Sequence, residues 1–169
     1  MKRMTIVFVL ALFIATTAAT SMILVGAGTT SVTGAGTAAF PAGTVFNGVT
    51  LSGSQFGKGI VVNTDGSATG DFYNVLDGST LLGPQSITVT GLVSSGSVNP
   101  DGSVTFGGTS SLDMGDGTPA TSVPFSVTAT SQGLTLVIGT TTLPTQTLVA
   151  GGIDGLCRPS PSWPSRASS

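Results

Sequence analysis

Apolar and polar residues alternate along residues 45–150 in one short run after another. The clearest run is residues 122–130, in which every second position is apolar and most of the others carry a hydroxyl group. Shorter runs of the same kind contain Ile87 with Val89, Val104 with Phe106, Leu112 with Met114, and Leu134 with Leu136 and Ile138. A period of two with one apolar face is typical of antiparallel strands that contact solvent on one side. The pattern predicts about eight to ten short strands and no helix after the N-terminal segment.

The turns between these strands are marked by Asp-Gly pairs, which five of the seven aspartates form. Two pairs lie in a repeated phrase, VNTDGSAT at residues 62–69 and VNPDGSVT at residues 98–105. In each phrase the Asn suits the start of a type I turn, and the Gly suits the left-handed position that follows it. The phrases predict two hairpins, each with a three-residue loop and a glycine bulge. We therefore expect an all-β fold, an antiparallel meander that closes as a sandwich or a barrel.

The N-terminal segment has the features of a signal peptide. Lys2 and Arg3 precede a mostly apolar run, and the small residues after it match the pattern that signal peptidase recognises. These features predict a signal peptide over residues 1–19. The competing interpretation is an uncleaved anchor, because residues 4–26 contain no charge and are long enough to span a bilayer. Small polar residues interrupt the apolar run and favour cleavage. Whether the segment is cleaved or retained as an anchor, we expect the domain to be secreted or held at the cell surface.

The two flanks of the strand-rich region differ from it in composition. Residues 20–44 are rich in Gly, Ala and Thr, which predicts a flexible lead-in. Residues 157–169 contain three prolines among serines, which predicts a disordered tail that joins no sheet. A single all-β domain is therefore expected over residues 45–156. Cys157 is the only cysteine, so we expect a free thiol or a disulfide to another molecule.

Charge is sparse, at 7% of residues, and its distribution limits the possible partners. Between residues 20 and 156 the only basic residue is Lys58, against seven aspartates. Binding a nucleic-acid backbone needs clustered Lys or Arg, so we expect no nucleic-acid partner. Gly, Ser and Thr make up 73 of the 169 residues, and Glu is absent, which disfavours helices.

The residue types that most catalysis requires are missing. The chain has no His and no Glu, so the usual general base and the usual zinc ligand are absent. Only Asp71 and Asp113 lie outside Asp-Gly pairs, and nothing in the sequence brings them together as a glycosidase carboxylate pair. Lys58, between Gly57 and Gly59, could act with a serine as base and nucleophile, but a lone strand lysine is more often an edge residue or an ion-pair partner. We predict that the protein is not an enzyme and has no catalytic or cofactor-binding residues.

The repeated Asn-x-Asp-Gly-Ser phrase also resembles the middle of a calcium-binding loop. In such a loop, oxygens at positions 1, 3, 5 and 12 surround the ion. When the Asp-Gly pairs are aligned with that pattern, position 12 falls on Phe72 and Gly108, which have no carboxylate. The phrase is therefore predicted to be a turn, without a metal site. A weaker site built from Asp113 and Asp116 is the alternative.

Residues 56–138 resemble a type of small, uncharacterised β-rich domain found in exported bacterial proteins. The matching segments are Phe56-Gly57, Asp65-Gly66, Gly70-Asp71-Phe72 and Val104-Thr105-Phe106-Gly107-Gly108. They correspond to a Phe-Gly strand, an Asp-Gly hairpin, a return strand and the end of a second hairpin. The resemblance implies the fold and export, and it supplies no activity.

These observations favour an exported, non-catalytic extracellular module with a structural or adhesive role. We expect cell-surface or extracellular-matrix contacts, no cofactor, and no membrane insertion once the signal is removed. The alternative is a β-barrel that binds a small ligand or a glycan. Such sites usually stack aromatic rings on the ligand, and only Tyr73 and Trp163 have amphipathic rings.

Overall fold

The computed structural model describes residues 28–155, which form ten β-strands. The strands are β1 (Thr29–Ala39), β2 (Val45–Phe46), β3 (Val49–Asn63), β4 (Ser67–Thr80), β5 (Gly83–Val98), β6 (Val104–Asp113), β7 (Ala120–Thr130), β8 (Gly133–Ile138), β9 (Thr141–Thr142) and β10 (Gln146–Asp154). Within these residues, no helix is long and apolar enough to cross a membrane. The predicted signal peptide and C-terminal tail lie outside the described residues.

Eight of the strands close into a ring in which every pairing is antiparallel. The order around the ring is β1, β10, β8, β7, β6, β5, β4 and β3, and β3 then pairs with β1. The short strands β2 and β9 pair with β3 and β8. Most neighbours in the ring are also consecutive in sequence. The predicted all-β class and the antiparallel meander with closure are therefore confirmed.

The apolar residues of the alternating runs point into the ring and form one core. Phe72 of β4 is fully buried and stacks on Phe125 of β7, with ring centroids 5.6 Å apart. Phe72 also meets Phe106 of β6 edge to face, with centroids 5.7 Å apart. These contacts connect strands that are not neighbours in the ring. An eight-stranded ring has an interior of the size that side chains can fill, and here apolar side chains occupy most of it.

The first strand shows that the prediction of a flexible lead-in over residues 20–44 is wrong for residues 29–39, whereas residues 20–27 lie outside the described residues. β1 pairs with β3 along its whole length and with β10 on its other side. Its glycines permit this close approach, since a Cβ on Gly34 would lie 2.7 Å from the carbonyl oxygen of Gly152. The small residues that resembled a flexible segment therefore serve the close packing of two backbones.

The two predicted hairpin turns are confirmed. Gly66 has a φ of +85° and donates its backbone N–H to the carbonyl oxygen of Asn63 at 3.2 Å. The carboxylate of Asp65 accepts hydrogen bonds from the hydroxyl group and the N–H of Ser67, at 2.6 and 2.9 Å. Both hydrogen bonds lower the pKa of Asp65, and the bond from the Ser67 hydroxyl has the larger effect. The second hairpin repeats the arrangement, with a φ of +83° at Gly102.

We expect Gly66→Val and Gly102→Val each to lower the free energy of unfolding by about 1–2 kcal/mol, because a β-branched residue resists a positive φ. Denaturant unfolding of both variants measures the change. Gly57→Val is the control, since a Cβ at Gly57 meets no atom within 4 Å and its φ is not positive. Unchanged midpoints in both turn variants would show that the left-handed conformation is not needed.

The pair Asp77-Gly78 does not form a turn, although its sequence resembles the turn pairs. Both residues lie within β4, and the chain reverses at Leu81 and Leu82. A Cβ on Gly78 would lie 2.6 Å from the carbonyl oxygen of Thr50 in the neighbouring strand. This glycine therefore permits close strand packing rather than a reversal of the chain.

Candidate functional site in the ring interior

Seven polar side chains are buried among the described residues, and four of them lie on three strands of the ring: Ser54 and Lys58 of β3, Asn74 of β4, and Gln146 of β10. Asn74 and Gln146 are fully buried, and Lys58 is only 8% exposed. Burying a polar group is costly unless it makes hydrogen bonds, so such positions need a specific explanation. We refer to these four residues as the interior polar cluster.

Strand alternation places Lys58 and Asn74 on the same inner face of two paired strands. Lys58 follows Phe56 by two residues, so both side chains point into the ring. On β4, Asn74 follows Phe72 by two residues and shares that inward direction. Lys58 pairs with Phe72, and Phe56 pairs with Asn74. Lys58 and Asn74 are therefore diagonal neighbours on one face, a separation within reach of a long side chain.

The amine of Lys58 has an unusual environment for a lysine. Its Nζ lies 5.5 Å from the centroid of the Phe106 ring and has no hydrogen-bond partner among residues 28–155. Burial disfavours the charged form and lowers the pKa of Lys58 to about 8. The prediction that Lys58 is an edge residue or an ion-pair partner is therefore wrong. At mildly alkaline pH the amine of Lys58 is therefore partly neutral, and a neutral amine is a nucleophile.

The two amide side chains of the cluster are also incompletely hydrogen-bonded. Neither Nδ2 nor Oδ1 of Asn74 has a partner in the described part of the chain. The hydroxyl of Ser54 donates a hydrogen bond to Oε1 of Gln146, while Nε2 of Gln146 has no partner there. The interior thus holds an amine, an unpaired amide and a second amide donor. These groups make it the chemically most distinctive region of the described structure.

Sequence reasoning singled out Lys58 but missed Ser54, Asn74 and Gln146. The signal for Asn74 is the same alternation that marks the core, since it lies between Phe72 and Leu76 at every second position. No comparable pattern marks Gln146, whose place near Ser54 depends on the pairing of β10 with β1.

The aspartates considered for catalysis or metal binding lie apart from this cluster. Asp71 pairs with Leu92 on β5, whereas Asp113 is at the end of β6. The carboxylate of Asp113 accepts a hydrogen bond from the N–H of Gly115 at 2.8 Å, and Asp116 accepts one from the N–H two residues later at 2.9 Å. No three His, Cys, Asp or Glu side chains between residues 28 and 155 are grouped as metal ligands. Each of these two carboxylates caps its own turn.

We expect millimolar calcium to leave the melting temperature unchanged, because isolated turn carboxylates cannot replace the hydration shell of the ion. A site occupied at 100 times its dissociation constant would add about 2.7 kcal/mol, which is a shift of several degrees. Thermal melts with calcium and with chelator measure this. A rise that chelator reverses and that Asp113→Asn abolishes would instead establish a calcium site in the Asp113–Asp116 loop.

The aromatic residue considered for glycan binding lies on the outer wall. Tyr73 is 48% exposed and pairs with Gly57 on one side and Thr90 on the other. A Cβ at Gly57 would meet no atom within 4 Å, so the Tyr73 ring does not cover this glycine. Trp163 lies outside the described residues.

Two grooves on the protein surface have volumes of about 300 and 340 Å³. They share the lining residues Gly66, Gly96 and Ser97, and neither is lined by a residue of the interior polar cluster. No known protein family, curated protein or solved structure matches this chain.

Proposed function

We propose that the protein is an exported, non-catalytic extracellular module with a structural or adhesive role. The main support is the closed ring with a large apolar core beside the interior polar cluster, an architecture suited to a stable scaffold. Closing the sheet also protects strand edges, which otherwise promote association with other chains. Export remains an expectation from residues 1–19, which lie outside the described structure.

The charge distribution on the surface is consistent with this role. Lys58 is the only basic residue between residues 28 and 155, and it is buried. The exposed charged side chains of this part are therefore all aspartates, set among many Ser and Thr hydroxyl groups. Such a surface repels anionic polymers and remains soluble, and it suits hydrogen-bonded contacts with other extracellular polymers.

A glycan-binding role is the second proposal, and the exposed ring of Tyr73 is the observation that favours it. Gly57 beside Tyr73 has no side chain, so the sheet is open next to one face of the aromatic ring. Stacking of a sugar on an aromatic ring is a common mode of recognition. A single ring without a surrounding pocket provides little affinity, so the structural role ranks first.

A glycan array with the full chain separates the two proposals. The structural proposal predicts no specific binding that depends on Tyr73. Tyr73→Ala tests that dependence, and Leu92→Ala is the matched control, because Leu92 is also exposed on a neighbouring strand. Specific binding lost in Tyr73→Ala but retained in Leu92→Ala would reject the structural proposal in favour of the glycan-binding one. A hydrolytic activity abolished by Lys58→Ala would overturn the non-catalytic assignment.

A further inference from the structure

We propose that Lys58 and Asn74 form an intramolecular amide cross-link between β3 and β4. The inference rests on their placement as diagonal neighbours on the inner face of two paired strands. Nζ of Lys58 and both polar atoms of the Asn74 amide lack hydrogen-bond partners among the described residues. The proposal concerns a covalent modification, and its failure would leave the proposed structural role untouched.

The reaction is an aminolysis of the Asn74 side chain. The neutral amine of Lys58 attacks Cγ of Asn74, the Nζ–Cγ bond forms, and the Cγ–Nδ2 bond breaks. One proton moves from Nζ to Nδ2, and ammonia leaves. The product is a secondary amide with one N–H and one carbonyl group. No atom is oxidised or reduced, and no co-reactant is required.

The interior provides three conditions that favour this step. Burial lowers the pKa of Lys58 to about 8, so a substantial fraction of the amine is uncharged at mildly alkaline pH. Holding the two groups on neighbouring strands makes the reaction intramolecular, which removes the entropic cost of bringing them together. Ser54, which is the other diagonal neighbour of Asn74, holds Gln146 through a hydrogen bond. The unpaired Nε2 of Gln146 offers a hydrogen-bond donor to Oδ1 of Asn74, the oxygen that gains negative charge during the attack.

The cross-link also removes an energetic problem that the separate groups create. A buried ammonium group without a partner is strongly unfavourable, and a buried primary amide without partners adds to the cost. The product replaces them with one neutral amide. A bound anion would satisfy the same donors, but neither of the two grooves is lined by Lys58, Asn74 or Gln146. The cross-link needs no cavity beyond the packed interior.

Trypsin provides a direct test, because Lys58 is the only Lys or Arg between residues 4 and 157. Trypsin requires a free side chain, so a cross-linked Lys58 resists cleavage even after denaturation. We expect the purified full chain, folded at pH 8 and then denatured, to lose cleavage after residue 58. The same treatment should cleave Lys58→Arg, because a guanidinium group does not form this link. It should also cleave Asn74→Leu, which keeps the amine and removes the acceptor.

Mass spectrometry identifies the bond independently of any folding defect in the variants. The wild-type chain is expected to lack the mass of one ammonia, with the loss mapped by fragmentation to Lys58 joined to Asn74. Asn74→Asp is expected to condense with the loss of one water instead.

Several results would overturn the proposal. One is complete tryptic cleavage after residue 58 in the folded and aged wild-type protein. Another is an ammonia loss that persists in Lys58→Arg, or that maps to a cyclic imide at Asn47-Gly48. A link from Lys58 to Gln146 would also reject the assignment of Asn74.

Discussion

Phe72→Ala is expected to lower the free energy of unfolding by about 3–5 kcal/mol, which is the usual cost of deleting a large aromatic residue from a packed core. Phe72 is fully buried and contacts both Phe125 and Phe106 across the interior. Its removal would leave a cavity in the centre of the ring that the closed sheet cannot easily collapse to fill. Denaturant unfolding, with the midpoint and the slope reported separately, measures the loss.

Tyr73→Ala is the matched control for this prediction, since Tyr73 is the next residue in the same strand and points outward. Its loss of stability should be much smaller than that of Phe72→Ala. Equal effects from the two variants would contradict the inward and outward assignment of β4. Such a result would also remove the basis for placing Asn74 in the interior.

Gly70→Ala is the second change with a large expected effect, about 2–5 kcal/mol, from backbone strain combined with overpacking. Gly70 has a φ of +142°, which L residues rarely adopt. An added Cβ would collide with the carbonyl oxygen of Gly59 and would lie 2.8 Å from Cα of Ile60. Both obstacles are backbone atoms of β3, so relief would require the two strands to separate.

Gly57→Ala is the control here, because a Cβ at Gly57 meets no atom within 4 Å. We expect it to be neutral or slightly stabilising, since Ala restricts the unfolded chain more than Gly does. Thermal melts of the two variants would compare a conformationally required glycine with a replaceable one in adjacent strands. Similar melting temperatures would refute the strained conformation at Gly70.

The sequence predicts the fold class well because the strand pattern is local. The alternation around Phe125 and the turn at Gly66 depend on a few neighbouring residues, and the structure confirms both. The domain was predicted to begin at residue 45, after β1, because residues 29–39 have a low-complexity composition. Small residues of this kind suit both flexible chains and closely packed strands. Asp77-Gly78 shows the same ambiguity, since glycine serves either a turn or a close approach.

The interior polar cluster was only partly accessible to sequence reasoning. Lys58 stands out as the only basic residue in the described part, and its spacing from Phe56 places it on the inner face. A lone strand lysine is more often an edge residue or an ion-pair partner, and this general expectation does not hold for Lys58. The contact between Ser54 and Gln146 depends on register between distant strands, which no local pattern specifies.

The pairing of β1 with β10 has a consequence for the order in which the molecule can fold. Thr33 pairs with Asp154, so the ring closes only when residues near both ends of the described chain meet. A chain that emerges from a ribosome or a translocation pore from its N-terminus must hold β1 with an unpaired edge until β10 has followed. Contacts of such long sequence separation form slowly, and exposed edges during that interval favour aggregation. Folding assistance, or a high local concentration of chaperone at the exit site, would therefore affect the yield of this protein more than its final stability.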